Sequence, residues 1–193
     1  ELTPDSAHSV TVPGCVQAWE RLTADHGRKE LGELLKFAIK AAEDGFAVTP
    51  RVAYDWGRCA AKLARDPGAR DIFLPGGRAP KPGERFKNPR LAETLKKIAQ
   101  SGAKAFYTGD VAQSMVKLLN SRGALHTMDD FAAAEGEYQQ PIATEYRGYT
   151  VHECPPNGQG ITALLMLNIL KGFDLSKLDP AGHPPKLKPD QKK

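Results

Sequence analysis

Three small groups of residues have types and spacing that could do chemistry. His152 and Cys154 stand two apart on an extended stretch and so share one strand face, as two zinc ligands or a Cys/His nucleophile pair would. Zinc takes about four N or S ligands, and His8, His26, His126 and His183 provide no second close pair. No metal is therefore assigned. Asp129 and Asp130 could be a carboxylate pair for acid and base work. They sit, however, in the first turn behind Thr127, where carboxylates cap a helix and complement its dipole.

The third group is Asn157-Gly158-Gln159-Gly160, which leads directly into an apolar run. Backbone N–H groups at such a helix start can point at an anion or a developing oxyanion. A tight turn with a helix cap is the plainer reading of the same glycines. Neither a Gly-x-Ser-x-Gly elbow, a phosphate loop nor a Gly-x-Gly-x-x-Gly fingerprint occurs. No residue of the chain is assigned a catalytic role, and no cofactor is implied.

The elements that must position these groups are mostly helical. Leu31, Leu34, Leu35, Ala38, Ile39 and Ala42 recur at three and four residues, and Gly45 stands where a left-handed C′ residue would. Thr49 and Pro50 open a helix that turns Val52, Trp56, Cys59, Ala60 and Leu63 inward and stops before Asp66-Pro67. Asn88-Pro89 opens another, with Leu91, Leu95, Ile98 and Ala99 as its stripe and Gly102 as its end. Asp110 caps a helix through Val111, Met115, Leu118 and Leu119 that stops at Gly123. Thr127 with Asp130 makes a capping box. Trp19, Trp56, Met115 and Met166 read as core residues rather than a cofactor box.

The β signal comes late. Ile142, Thr144 and Tyr146 alternate with polar neighbours, Arg147-Gly148 turns, and Tyr149, Val151 and Glu153 resume the period of two, a hairpin. The run at residues 161–170 is apolar on every side of a helix, which calls for burial on all sides and hence for a partner surface. Residues 75–83 read as a loop by composition. The fold class is α+β, mostly helical, with one late hairpin.

Composition bounds the rest. The 193 residues are 40% hydrophobic and 26% charged, which suits one soluble globular domain with a core that needs no disulfide or metal. The net charge of +4 is uneven: from Ser176 onward five lysines face two acids, leaving a body of only +1. Such a body has no electrostatic footprint for nucleic acid. No run reaches the roughly 18 apolar residues of a membrane span, and residues 1–5 show no secretory signal, so neither nucleic acid nor membrane is expected as a partner. Three widely spaced cysteines, Cys15, Cys59 and Cys154, argue against a disulfide framework and leave cytoplasm and export both open. Residues 1–175 form the body, and the Pro- and Lys-rich residues 176–193 read as a solvated tail.

At several points the wording resembles the γ-glutamyltranspeptidase family. Val12-Pro13-Gly14 resembles that family's start of a long helical run, and Gly45-Phe46-Ala47-Val48-Thr49-Pro50 a second landmark. Phe106-Tyr107-Thr108-Gly109, Thr127-Met128-Asp129-Asp130-Phe131, Tyr146-Arg147-Gly148-Tyr149, Pro155-Pro156 and Leu167-Asn168-Ile169-Leu170-Lys171-Gly172-Phe173 follow in the family's order. The likeness covers residues 10–175.

It implies part of the large subunit of an N-terminal-nucleophile hydrolase with a four-layer αββα fold. In that family one precursor cleaves itself in two, and the new N-terminal Thr of the small subunit attacks a γ-glutamyl amide with its own amine as base. The resemblance places the nucleophile, the oxyanion glycines and the substrate-clamping arginine outside this chain. The expected partners are therefore the small subunit and a small γ-glutamyl or other amide substrate. One departure bears on substrate: where many members read Pro-Pro-Pro-Ser-Ser-Gly-Gly, this chain reads Pro155-Pro156-Asn157-Gly158-Gln159-Gly160. That form resembles amidohydrolase branches, oxamate-type included, and makes Asn157, Gly158, Gln159 and Gly160 the expected substrate-proximal loop. The rival from another class is a non-catalytic helical module that binds a protein through exposed apolar surface.

Overall fold

Two long helices carry the first of two units, which ends at Gly136. They are α2 (Leu31–Asp44) and α5 (Pro89–Tyr107), packed along each other. The computed structural model describes residues 6–177, so residues 178–193, nearly all of the expected tail, lie outside the described residues. The last described residues form a short 3-10 turn, Leu175–Lys177. The other elements of unit 1 are α1 (Cys15–His26), β1 (Phe46–Ala47), α3 (Pro50–Leu63), α4 (Pro67–Phe73), β2 (Arg85–Phe86), α6 (Asp110–Ser121) and α7 (Met128–Ala132). Unit 2 holds β3 (Ile142–Tyr146), β4 (Tyr149–Glu153) and α8 (Gly160–Leu170). No helix among the described residues is long and apolar enough to cross a membrane.

The helix starts follow local chemistry. Thr49, Asp66 and Asn88 each precede a proline and accept a backbone N–H of the first turn, from Val52, Ala69 and Leu91. The capping box forms as the spacing demands: Thr127 Oγ1 accepts the Asp130 N–H at 3.2 Å, and Asp130 Oδ2 accepts the Thr127 N–H at 2.7 Å. Asp110 behaves otherwise. Gly109 occupies the cap and Asp110 is the first helical residue, ion-paired with Lys97, which lowers its pKa.

Gly45 ends α2 as expected but in another conformation, and Gly102 does not end α5. Gly45 has φ 84° and ψ 161°, a region closed to side chains rather than the left-handed helical one. It is buried, and a Cβ there would meet the Phe86 carbonyl and the Arg85 and Lys87 side chains at 2.7 Å. Gly45→Ala is expected to cost at least about 2 kcal/mol; a thermal melt unchanged from the parent would refute this. Gly102 (φ 67°, ψ −162°) breaks α5 without ending it, because Glu20 Oε1 accepts the Ala103 N–H at 2.9 Å and restarts the helix.

The main core of unit 1 gathers Val16, Leu35, Leu95, Ile98, Ala103, Tyr107, Ala112 and Phe131. A satellite of Val48, Ala53 and Phe86 carries Trp56 and Phe73 on its rim, and Trp56 Nε1 donates to the Phe73 carbonyl at 2.8 Å. Phe86 lies on β2, which pairs antiparallel with β1. That ladder lies outside the sequence reading because two-residue strands show no periodicity. The predicted stripes prove too wide: Leu34, Ala38, Val52, Cys59, Leu91 and Leu118 are exposed, and so are Trp19 and Met166, expected in the core. On α3 the buried residue is Ala53, one position round, so Val52, Cys59, Leu63 and Phe73 line an open apolar groove. The satellite covers only one narrow strip of that helix.

The loop at 75–83 closes through one ion pair. Arg78 reaches Glu84 with two guanidinium bonds, 2.9 and 2.8 Å, and the Lys81 N–H donates to the same carboxylate. The Arg78 bond first, and the Lys81 N–H second, hold the Glu84 carboxyl down at about 2. A depressed carboxylate stabilises the fold above its unfolded pKa and loses that contribution as pH falls through its folded one. The loop is therefore expected to loosen between about pH 4.5 and 2. An amide titration in which residues 78–84 shift in that window in the parent but not in Glu84→Gln would bear this out.

Candidate functional site

The hairpin of unit 2 forms as its alternation requires. Ile142 pairs with Glu153, Thr144 with Val151 and Tyr146 with Tyr149. Arg147 (φ 51°) and Gly148 (φ 83°) both take positive φ, as the two-residue turn of a right-twisted hairpin does. Two strands alone are marginal in water. α8 lies along β3, where Thr144 Oγ1 donates to Asn168 Oδ1 at 2.6 Å and Lys171 Nζ donates to the same threonine at 3.4 Å.

The segment from Cys154 to Gly160 joins β4 to α8, and its two ends touch. A Cβ on Gly160 would overlap the Cys154 carbonyl and stand 2.8 Å from Glu153 Cβ, so the close approach requires glycine. Asn157, Gly158 and Gln159 are exposed at its tip, and Gln159 is the residue preceding α8. Its side chain does not cap the helix. Instead, Gln159 Oε1 accepts from Thr162 Oγ1 at 2.9 Å, leaving the first-turn N–H groups without a side-chain cap. The arrangement can present backbone donors to a carboxylate or to the oxygen of an amide carbonyl.

The other candidates stand apart from this loop in role. His152 is exposed on β4 opposite Ala143, and Cys154 is exposed just beyond the strand. Among the described residues no three His, Cys, Asp or Glu side chains form a group that could hold a metal. Asp130 is committed to its cap, where the Thr127 N–H and hydroxyl lower its pKa. The sequence reading missed the polar contacts of α1. Gln17, Glu20 and Arg21 bind backbone groups 83 to 119 residues away, and such separations leave no local signal.

The sequence matches the family described as Gamma-glutamyltranspeptidase over residues 1–187. It is 42% identical over 175 residues to the "Glutathione hydrolase-like YwrD proenzyme" of Bacillus subtilis (strain 168), covering 91% of this chain and 33% of that protein. The structure is similar to that of the cephalosporin acylase from Bacillus halodurans, with a TM-score of 0.82 and 39% identity over 90% of this chain and 34% of that one. It is also similar to the gamma-glutamyltranspeptidase of Helicobacter pylori, at a TM-score of 0.79 and 30% identity over 93% of this chain and 53% of that one. The chain thus spans about a third of the curated relatives it matches. Its mostly helical architecture and late hairpin are those of the large-subunit region, and the chain belongs to the gamma-glutamyltranspeptidase family.

Proposed function

We propose that this chain is the large-subunit part of an autoprocessing amide hydrolase that cleaves or transfers γ-glutamyl amides, its Thr nucleophile being carried by the small subunit of the same precursor. The observation that carries the reading is the family match over residues 1–187 in a chain that covers 33% of a relative named as a proenzyme. In this reading the small-subunit Thr hydroxyl attacks the amide carbonyl, its α-amine takes the proton, and the leaving amine departs from a covalent acyl-enzyme. Water or an amino acid then takes the acyl group. The loop Asn157, Gly158, Gln159 and Gly160 lies near the substrate and offers backbone donors to it. The chain alone does not turn over.

A second reading has its own support. The Asn157-Gly158-Gln159-Gly160 wording supports an oxamate-type amidohydrolase, and the 39% identity to a cephalosporin acylase stands beside the 42% to a glutathione hydrolase-like proenzyme. The test is to read the coding sequence on both sides and express the precursor it encodes. γ-Glutamyl-p-nitroanilide and a simple acyl amide are then offered to the purified chain and to the processed enzyme. Turnover of the γ-glutamyl substrate by the processed enzyme alone is expected. Turnover by the 193-residue chain at a comparable rate would sink the divided-site proposal. Turnover of the acyl amide only would transfer the proposal to the second reading, and a true start and stop at these ends would leave the binding module.

A further inference from the structure

We propose that Asn157 and Gly158 form a self-modification site, at which the Asn157 side chain loses its amide through a cyclic imide and becomes a carboxylate. The reaction needs only water besides these two residues. The Gly158 backbone nitrogen attacks Asn157 Cγ, and the new N–Cγ bond closes a five-membered ring. The Cγ–Nδ2 bond breaks, and ammonia leaves with the proton of the Gly158 N–H. Water then opens the ring. Addition at Cγ gives aspartate, and addition at the main-chain carbonyl gives isoaspartate, in which the chain runs on through Cγ. Either route consumes one water and releases one ammonia, and nothing is oxidised or reduced.

Asn157 is the one asparagine of the chain followed by glycine, and glycine sets no side chain in the path to its own nitrogen. Both residues are exposed in the irregular segment between β4 and α8, and a Cβ on Gly158 would meet nothing within 4 Å, so the segment has room for its dihedral angles to change. Among the described residues none holds the Asn157 side chain by a hydrogen bond. The other asparagines are restrained. Asn88 accepts the Leu91 N–H and precedes Pro89, whose nitrogen has no proton to lose. Asn120 in α6 donates to the His126 carbonyl at 2.9 Å, and Asn168 in α8 accepts from Thr144 at 2.6 Å. Asp44-Gly45 could close the same ring, but the Gly45 N–H donates to the Ala41 carbonyl at 3.0 Å and the glycine is buried.

The product changes the loop. It sets a negative charge just ahead of α8, whose first-turn N–H groups no side chain caps and whose dipole favours an anion there. Isoaspartate also adds an atom to the main chain of a segment whose two ends meet at Gly160 and the Cys154 carbonyl. The modification stands on this local chemistry and not on the proposed reaction.

The test holds the purified 193-residue chain at mildly alkaline pH, where the Gly158 nitrogen gives up its proton more readily, and digests samples at intervals for mass spectrometry. Asn157 is expected to convert at least about tenfold faster than Asn120 or Asn168. Its product should appear as two separable peptides of equal mass, with ammonia released in step. Gly158→Val places a branched side chain beside the attacking nitrogen and is expected to slow conversion about tenfold or more, with far-UV circular dichroism unchanged. The proposal is overturned if Asn157 keeps its amide as long as Asn168 does, or if Gly158→Val converts at the parent rate. Should Gly158→Val fail to fold, Gly158→Ala, whose methyl group enters open space, is read against the same two outcomes.

Discussion

The isolated chain is expected to self-associate and to bind a hydrophobic dye through α8, and Leu165→Glu with Ile169→Lys is expected to abolish both. α8 is apolar around its whole circumference, yet only Leu164 is buried, while Leu165 is 56% and Ile169 65% exposed. Ile161, Met166 and Phe173 are exposed as well. Burying such a side chain contributes roughly 1.5–3 kcal/mol, so four or five of them on one short element drive association of any surface that can cover them. Light scattering and dye fluorescence read the effect directly. A monomer that melts cooperatively and leaves the dye dark would count against it. In the processed enzyme proposed above, the same two charges are expected to block assembly, because an unpaired charge in an apolar interface costs several kcal/mol.

Phe131→Ala is expected to destabilise unit 1 by about 3–5 kcal/mol, close to its whole stability. The side chain is 0% exposed and belongs to the core with Val16, Ile98, Tyr107 and Ala112. It sits on α7, a helix of five residues, too short to persist without that anchor. Phe131→Leu keeps most of the volume and is expected to cost well under half as much. Both tryptophans, Trp19 and Trp56, lie in unit 1, so fluorescence in urea follows this unit alone. Equal midpoints for the parent and the alanine variant would show that α7 is not part of the cooperative core.

The candidate site was legible as wording more than as geometry. Asn157 to Gly160 stood out because glycines precede an apolar run, and the structure adds that Gly160 packs on the Cys154 carbonyl while Thr162 occupies the Gln159 side chain. Thr127 and Asp130 were readable as a cap because both partners lie within one turn. Asp110 was misread as a cap because Gly109, which has no side chain to signal, fills that place. Gly102 was misread as a stop because the carboxylate that restarts the helix comes from Glu20, 83 residues away.

The helix starts at Thr49, Asn88 and Thr127 and the hairpin register were determined by the sequence itself, since prolines behind caps, a capping box and a two-residue turn act over a few residues. Which faces are covered was decided only by the tertiary structure. Leu34, Val52, Leu91 and Leu118 belong to apolar stripes and yet stay exposed, because burial depends on which layers meet a helix and not on its own pattern. The same holds for the grip of Gln17 and Arg21 on Gly136: polar groups more than 100 residues apart find each other through packing, and no local rule encodes them.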